Sequence, residues 1–258
     1  MNRITAKFDE LKKENKCAFI GYVTGGDPSI EKTADLVLAM EQGGADIIEI
    51  GIPYSDPLAD GPVIQDAGLR AFENGICVDD IFNCVVKIRK SSQVPLLFLV
   101  YYNTIFNIGN EEFAKRCKDA GIDGIIVPDL PMEERDELKI YTDTFDICLV
   151  PLVAPTSKDR VKDIAHEKAG FVYCVSTMGV TGVRDTFNEN VTEYLKDVKS
   201  QTTLPIAVGF GISSRDAVKF FSQHAEGAIV GSAIVKKVYE TNGDTEKLKD
   251  FIFSLTND

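Results

Sequence analysis

The chain has 258 residues, 44% of them hydrophobic and 26% charged, with 28 basic against 40 acidic side chains for a net charge of −12. This length and apolar content exclude a disordered polymer and a miniature that needs disulfide or metal staples. The acidic balance excludes a general affinity for nucleic acid or anionic membrane, while leaving room for a local site that binds one small anion.

The first sixteen residues, MNRITAKFDELKKENK, carry Ile4, Phe8 and Leu11 on one helical side and lack the apolar core of a signal peptide. Eight nearly continuous apolar runs follow: Cys17–Val23, Ala45–Ile50, Pro95–Tyr101, Gly124–Val127, Ile147–Val150, Gly170–Val175, Leu204–Val208 and Gly227–Val230. Runs of this kind predict parallel strands covered on both faces. Helical patterns alternate with them at about 30–42, 78–91, 110–119, 132–143, 157–168, 188–199 and 213–223, with a final pair near 232–239 and 244–255. Asp27-Pro28-Ser29, Thr156-Ser157 and Ser213-Ser214 signal helix starts, and Gly43-Gly44 and Gly121 signal helix ends. About eight β/α units of roughly 30 residues are the arithmetic of a (β/α)8 barrel. The rival, a doubly wound open sheet, usually carries a GxGxxG loop, which this sequence lacks. No linker divides the chain, so residues 1–258 read as one (β/α)8 TIM barrel with an extra N-terminal helix. The six cysteines show no CxxC pair and read as buried reduced thiols. No span reaches the roughly 18 apolar residues of a membrane helix. The expected setting is a soluble, cytoplasmic protein.

In such barrels the chemistry sits at the C-terminal ends of the strands. After the second strand comes ADIIEIGIPYSDPLADGP, in which Glu49 stands in a run otherwise free of charge. A carboxylate buried there must be partnered, solvent-reached from the barrel mouth, or raised in pKa; the plainer alternative is a Glu turned to the helix layer and paired with a Lys. Beyond it the proline-stiffened loop Pro53–Pro62 holds Asp56 and Asp60, which alone would read as turn or cap residues. Two carboxylates from one strand-and-loop segment make a candidate acid and base. Gly179-Val-Thr-Gly182, Gly209-Phe-Gly211 and Gly231-Ser232 follow the last three strands. Each alone is an ordinary loop; together, with a helix beginning at Gly231-Ser232, they predict a phosphate held by backbone N–H groups and a helix dipole. Tyr22, Tyr101, Tyr102, Tyr173 and Phe210 near the mouth are either packing or the walls of a site for a flat apolar ligand. His166 and His224, the two histidines, fall in helical patterns away from strand ends, which argues against a metal cluster or a Ser/His/Asp set. The strand interiors hold no lysine, which disfavours Schiff-base chemistry. From residues alone the expectation is an acid/base enzyme acting on a phosphorylated small molecule with an aromatic part.

The segment Ala45–Arg70, with EIGIPYSDPLADGPVIQDA, closely resembles the tryptophan synthase α chain family, and the likeness continues through VPDLP (127–131), PLVAPTS (151–157), GVTGVR (179–184), GFGISS (209–214) and GSAIVK (231–236). The resemblance implies a (β/α)8 barrel that cleaves indole-3-glycerol phosphate to indole and glyceraldehyde 3-phosphate. It implies Glu49 and Asp60 as the catalytic carboxylates and Tyr22, Leu99 and Ile126 around the indole ring. Tyr173, Thr181, Gly182, Phe210, Gly211, Gly231 and Ser232 would line the substrate and phosphate site, and Pro53, Asp56 and Pro57 would meet a β chain in an α2β2 heterotetramer. It also implies that this chain needs no metal and no organic cofactor of its own, the pyridoxal phosphate lying in the β chain. The sequence departs from the family at Gly21-Tyr22, where relatives often carry Pro and Phe. Tyr22 keeps the ring but adds a hydroxyl that needs a partner or water, and Gly25-Gly26 loosen the loop beyond it. Three alternatives stay open: a stand-alone lyase releasing free indole, a barrel kept mainly to activate a β chain, and another phosphate-binding barrel enzyme such as an epimerase.

Overall fold

A computed structural model of the chain describes residues 1–156, 161, 170–175, 189–209 and 211–257. In chain order these form α1 (Arg3–Lys13), β1 (Ala18–Thr24), α2 (Ile30–Gln42), β2 (Ile47–Gly51), α3 (Pro62–Glu73), α4 (Val78–Arg89), β3 (Leu96–Leu99), α5 (Tyr102–Ile108), α6 (Asn110–Ala120) and β4 (Gly124–Ile126). Then follow α7 (Asp136–Thr144), β5 (Cys148–Val150), β6 (Leu152–Val153), β7 (Val172–Val175), α8 (Glu189–Gln201), β8 (Ile206–Gly209), α9 (Arg215–Ser222), β9 (Gly227–Val230), α10 (Ser232–Glu240) and α11 (Thr245–Thr256).

All pairings in the nine-membered sheet are parallel, in the order β5-β4-β3-β2-β1-β9-β8-β7-β6. Its two outermost segments, β5 and β6, are separated in the chain by Pro151 alone. Proline has no N–H for the ladder, so one strand is split there: its first half pairs with β4 and its second with β7. The Pro151 carbonyl still accepts from the Tyr173 N–H at 2.9 Å. The nine segments are thus the eight expected strands, and this shared strand closes the barrel.

Alternation along each strand sorts side chains into two layers. Phe19, Val23, Ile48, Ile50, Leu96, Phe98 and Ile125 face outward into the main core beneath the helices. Ala18, Ile20, Ile47, Leu97, Ile126, Val150, Ala207 and Ile229 face inward and fill the barrel. The N-terminal helix joins this inner cluster through Ile4, Phe8 and Leu11, with the Phe8 and Phe171 rings 5.5 Å apart, and so stoppers the lower end. Asn2 caps it, accepting from the Ile4 N–H at 2.9 Å. Arg3 reaches Asp123 at 2.7 Å, where Arg89 from α4 and the Leu96 N–H also converge. Burial, helped by the neighbouring charge of Arg3, lowers the Arg89 pKa to about 10, against the pull of Asp123. With its lower end plugged, the barrel is open for chemistry only at the other.

Ser29, Ser214 and Gly121 cap helices where the sequence places them. Two helices were not expected. α3 begins at Pro62 directly behind the proline-rich loop, which disguises it, and buries Ala67, Gly68 and Ala71. α5 has only seven residues, rich in poor helix formers, and exists because Ile105 is buried. The helix expected over 132–143 is a 3₁₀ turn at Met132–Glu134 followed by α7. The helix expected over 157–168, with its start at Thr156-Ser157 and His166 within it, lies largely outside the described residues. All six cysteines are free, but the reading of all of them as buried is corrected: Cys77 is exposed and Cys17 half-buried. Cys77 sits at the N-cap of α4, where its N–H and thiol both reach Asp80 Oδ2, at 3.0 and 3.1 Å. No described helix is long and apolar enough to cross a membrane.

Candidate active site

The upper inner ring of the barrel is the floor of the candidate site. Tyr22 on β1 lies opposite Glu49 on β2, and Glu49 lies opposite Leu97 on β3. Since Ile48 and Ile50 pack outward, Glu49 must point into the barrel. This disposes of the alternative of a glutamate paired with a lysine in the helix layer. Glu49 is 1% exposed, and its Oε1 has no hydrogen-bond partner among the described residues. Burial alone pushes its pKa up to about 8. The physical cause is plain: an ionised carboxylate here would lose its water and gain neither a donor nor a cation in exchange.

Asp60 arrives from the β2–α3 loop, one residue before the Gly61 cap of α3. Its pKa rises to about 6 through burial, opposed by a hydrogen bond from the Tyr101 hydroxyl. That hydroxyl also accepts from the Ala59 N–H at 3.0 Å, and the Tyr101 ring stacks on Tyr54 with centroids 4.8 Å apart. Near pH 7 the two carboxyls therefore rest in opposite states, Glu49 holding its proton and Asp60 without one. Such a pair has the polarity needed for an acid and a charge stabiliser.

The aromatic walls depend on two glycines. A Cβ on Gly51 would lie 2.0 Å from Tyr22 Oη, and a Cβ on Gly209 would lie 2.6 Å from Tyr173 Oη. Gly209 thus makes room for a phenol, a different use from the anion loop expected of it; Gly51 was missed, although a glycine inside a strand is itself a sign of close approach. Tyr22 forms a small apolar cluster with Ala67 and Val235, against which Val63, Ile64 and Leu99 pack, and its hydroxyl lies 3.3 Å from Thr24 Oγ1. That is the partner its extra hydroxyl required. Leu99 is half-buried above Ile126, which is fully buried, and the two lie opposite each other across β3 and β4.

On the far side of the mouth, Gly211 has φ +64°, a left-handed conformation suited to glycine. Gly231 precedes α10, whose first internal bonds run from the Ile234 and Val235 N–H groups to the Gly231 carbonyl. The N–H groups of Ser232 and Ala233 lie in the first turn, ahead of any intrahelical partner. Thr181, Gly182 and Phe210 lie outside the described residues. In the β2–α3 loop Asp56 is exposed, Pro53 and Pro57 are half-buried, and Leu58 is 94% exposed. Among the described residues no group of three or more His, Cys, Asp or Glu could hold a metal ion.

The family model described as "Tryptophan synthase alpha chain" matches residues 8–256. The chain is 50% identical over 258 residues to the tryptophan synthase alpha chain of Caldanaerobacter subterraneus subsp. tengcongensis, covering 99% of this chain and 98% of that one. It is 47% identical to that of Clostridium beijerinckii, over 100% and 99% of the two chains. A crystal structure of the Legionella pneumophila tryptophan synthase subunit alpha superposes with a TM-score of 0.91 at 34% identity, over 99% and 97% of the chains. A chain of the tryptophan synthase complex from Pyrococcus furiosus gives 0.84 at 35% identity, over 93% and 98%.

Proposed function

The chain belongs to the tryptophan synthase alpha chain family, and from that premise we propose how its residues divide the work of the reaction. The activity is that of a lyase, cleaving indole-3-glycerol phosphate to indole and glyceraldehyde 3-phosphate. We take residues 1–258 as one barrel domain with Glu49 and Asp60 as its catalytic groups.

The carbon–carbon bond cannot break while indole C3 holds its aromatic electrons, so C3 must first be protonated. Glu49, neutral near pH 7, is the acid that delivers that proton. Positive charge then grows at the ring nitrogen, where the ionised Asp60 stabilises it. The glutamate, now a carboxylate, takes the proton of the glycerol hydroxyl next to the breaking bond. The electron pair of that O–H bond forms the aldehyde, and the electrons of the cleaved bond return to the ring. Tyr22, Leu99 and Ile126 flank the indole, with Tyr173 beside it. Gly211, Gly231 and Ser232, together with Thr181, Gly182 and Phe210, hold the phosphate end. Backbone N–H groups at the start of α10 suit an anion on a protein of net charge −12.

Pro53, Asp56 and Pro57, with the exposed Leu58 between Pro57 and Asp60, form the surface we assign to a β chain. We propose an α2β2 heterotetramer in which indole passes to that chain and pyridoxal phosphate belongs to the partner. A cytoplasmic setting suits the six unpaired thiols. The observation that carries the assignment of roles is the inward, unpartnered Glu49 carboxyl in an apolar barrel mouth. The test is indole release from indole-3-glycerol phosphate by the purified chain, with and without its β chain. Weak release that rises steeply on mixing is expected. Fast release unchanged by mixing identifies a stand-alone lyase and overturns the role of the Asp56 loop. Equal stimulation of the β chain by wild type and by Glu49→Gln/Asp60→Asn, with negligible cleavage by either, identifies a mere activating partner.

A further inference from the structure

Register fixes a row of side chains at the upper end of the barrel interior. Thr24 pairs with Gly51, Gly51 with Leu99 and Leu99 with Ile126, and alternation from Ile20, Ile47, Leu97 and the inward Ile126 turns all four positions inward. The glycine leaves a gap in this row between Thr24 and Leu99. That gap is filled from the layer below. Tyr22 stands two residues before Thr24 on β1, and its phenol rises so that a Cβ on Gly51 would lie 2.0 Å from Oη and 2.6 Å from Cζ. The phenol oxygen thus occupies the place of the missing side chain. Thr24 Oγ1, 3.3 Å away, holds it there, and both residues are buried. The hydroxyl pair makes the wall continuous from β1 to β4; a phenylalanine at position 22 would stop one atom short of it.

We propose that the Tyr22 hydroxyl, held by Thr24 above Gly51, is a specificity determinant for cleavage: it closes the wall against a small substituent on the benzene ring of the indole. The chain then selects unsubstituted indole-3-glycerol phosphate over an analogue methylated at the ring carbon that faces this wall. The exclusion has two physical sources. A methyl group pressed on the phenol oxygen cannot drive it toward Gly51, because the backbone is already there. Nor can it turn the oxygen aside without breaking the bond to Thr24 and leaving two buried hydroxyls unpaired. One extra carbon in a closed apolar pocket is worth about 10–200-fold in discrimination.

This inference rests on the reading that Tyr22, Leu99 and Ile126 flank the indole, and the experiment separates the two. Indole-3-glycerol phosphate competes in one mixture with each of its analogues methylated at ring carbon 4, 5, 6 or 7. Competition reports ratios of kcat/KM, which do not depend on how much of a variant is folded. The comparison is between wild type and Tyr22→Phe/Thr24→Val, which removes both hydroxyls and leaves neither unpaired. In the double variant the ratio for one of the four analogues is expected to rise by about tenfold or more, with the others within about twofold of wild type. Ratios that stay at their wild-type values overturn the proposal. So does an equal rise for all four, which is what a general loosening of the barrel would give. Nuclear Overhauser contacts from bound indole to the Tyr22 ring of the wild-type chain test the underlying reading by themselves. Their presence leaves that reading standing even where the ratios do not move, and their absence removes both the reading and the proposal.

Discussion

Replacing Glu49 by glutamine should cost catalysis and return stability, and both sizes follow from one buried carboxyl. In the unfolded chain the group titrates near 4.5, and in the folded chain burial raises it to about 8. Below pH 4.5 it is protonated in both states and carries no penalty. Between 4.5 and about 8 the unfolded chain has released the proton while the folded chain retains it, so stability falls as pH rises. Above pH 8 the penalty is constant. Its size is about 3 kcal/mol at pH 7 and about 5 kcal/mol above pH 8. Glutamine has no such pH dependence, but it brings an amide into a site where Oε1 has no partner, at a cost of about 1–3 kcal/mol. The two stability–pH curves should therefore cross: Glu49→Gln is the less stable chain at pH 4.5 and the more stable at pH 9, by about 2–4 kcal/mol.

Urea unfolding at pH 4.5, 7 and 9 measures this, with the slope m shared by both chains so that midpoints report stability. The difference between the chains isolates Glu49 from Asp46 and Asp60, whose pKa values are also raised by burial. In parallel, cleavage should fall by about 10²–10⁴-fold, the usual contribution of a positioned general acid. Curves that run parallel across the pH range would refute the buried, protonated glutamate. A folded Glu49→Gln chain with cleavage within tenfold of wild type would refute its role in the chemistry.

Cleavage by wild type should follow a bell-shaped kcat/KM profile, rising as Asp60 ionises near pH 6 and falling as Glu49 ionises near pH 8; a rate still climbing above pH 9 contradicts the assignment. Gly209→Ala puts a methyl group 2.6 Å from Tyr173 Oη. Overpacking of that kind should lower stability by about 1–3 kcal/mol and raise KM by roughly tenfold, with Tyr173→Phe recovering part of the stability; thermal melts and steady-state kinetics on the four chains of the cycle decide it. Arg70 holds the buried Asp27 through two bonds of 2.7 and 2.8 Å and covers the Tyr239 ring. Because Asp27 is 2% exposed, Arg70→Met leaves a buried carboxylate unpaired and should cost about 2–4 kcal/mol. Asp27→Asn in the same chain should return part of that, and a melt showing no loss in the single variant rules the pair out as a clamp on α3.

The barrel was legible because its strands are short apolar runs at even spacing, a pattern that survives without any knowledge of contacts. Glu49 was legible for the same reason, as the one charge in a run that tolerates none. What escaped detection depends on tertiary packing. α5 is helical because Ile105 reaches the core, not because YNTIFNI favours a helix. Cys77 shares an apolar neighbourhood in sequence yet caps α4 from the surface. Pro151 divides one strand into two pairing segments, a consequence of closure that no local pattern contains.

The glycines separate these two kinds of information most clearly. In sequence, Gly51, Gly209 and Gly231 look alike, each at or near the end of an apolar run. In the folded chain Gly51 and Gly209 are small because a phenol from the neighbouring strand occupies the space above them, whereas Gly231 has no atom of the described residues within 3.4 Å of where its Cβ would stand and opens a helix instead. The first two shape the walls of the candidate site, while the third stands at a helix start whose first N–H groups have no intrahelical partner. A side chain at Gly51 or Gly209 must displace Tyr22 or Tyr173, but among the described residues one at Gly231 meets nothing closer than 3.6 Å. Identical residues at equivalent strand ends thus do different work, and only the residue opposite each one tells them apart.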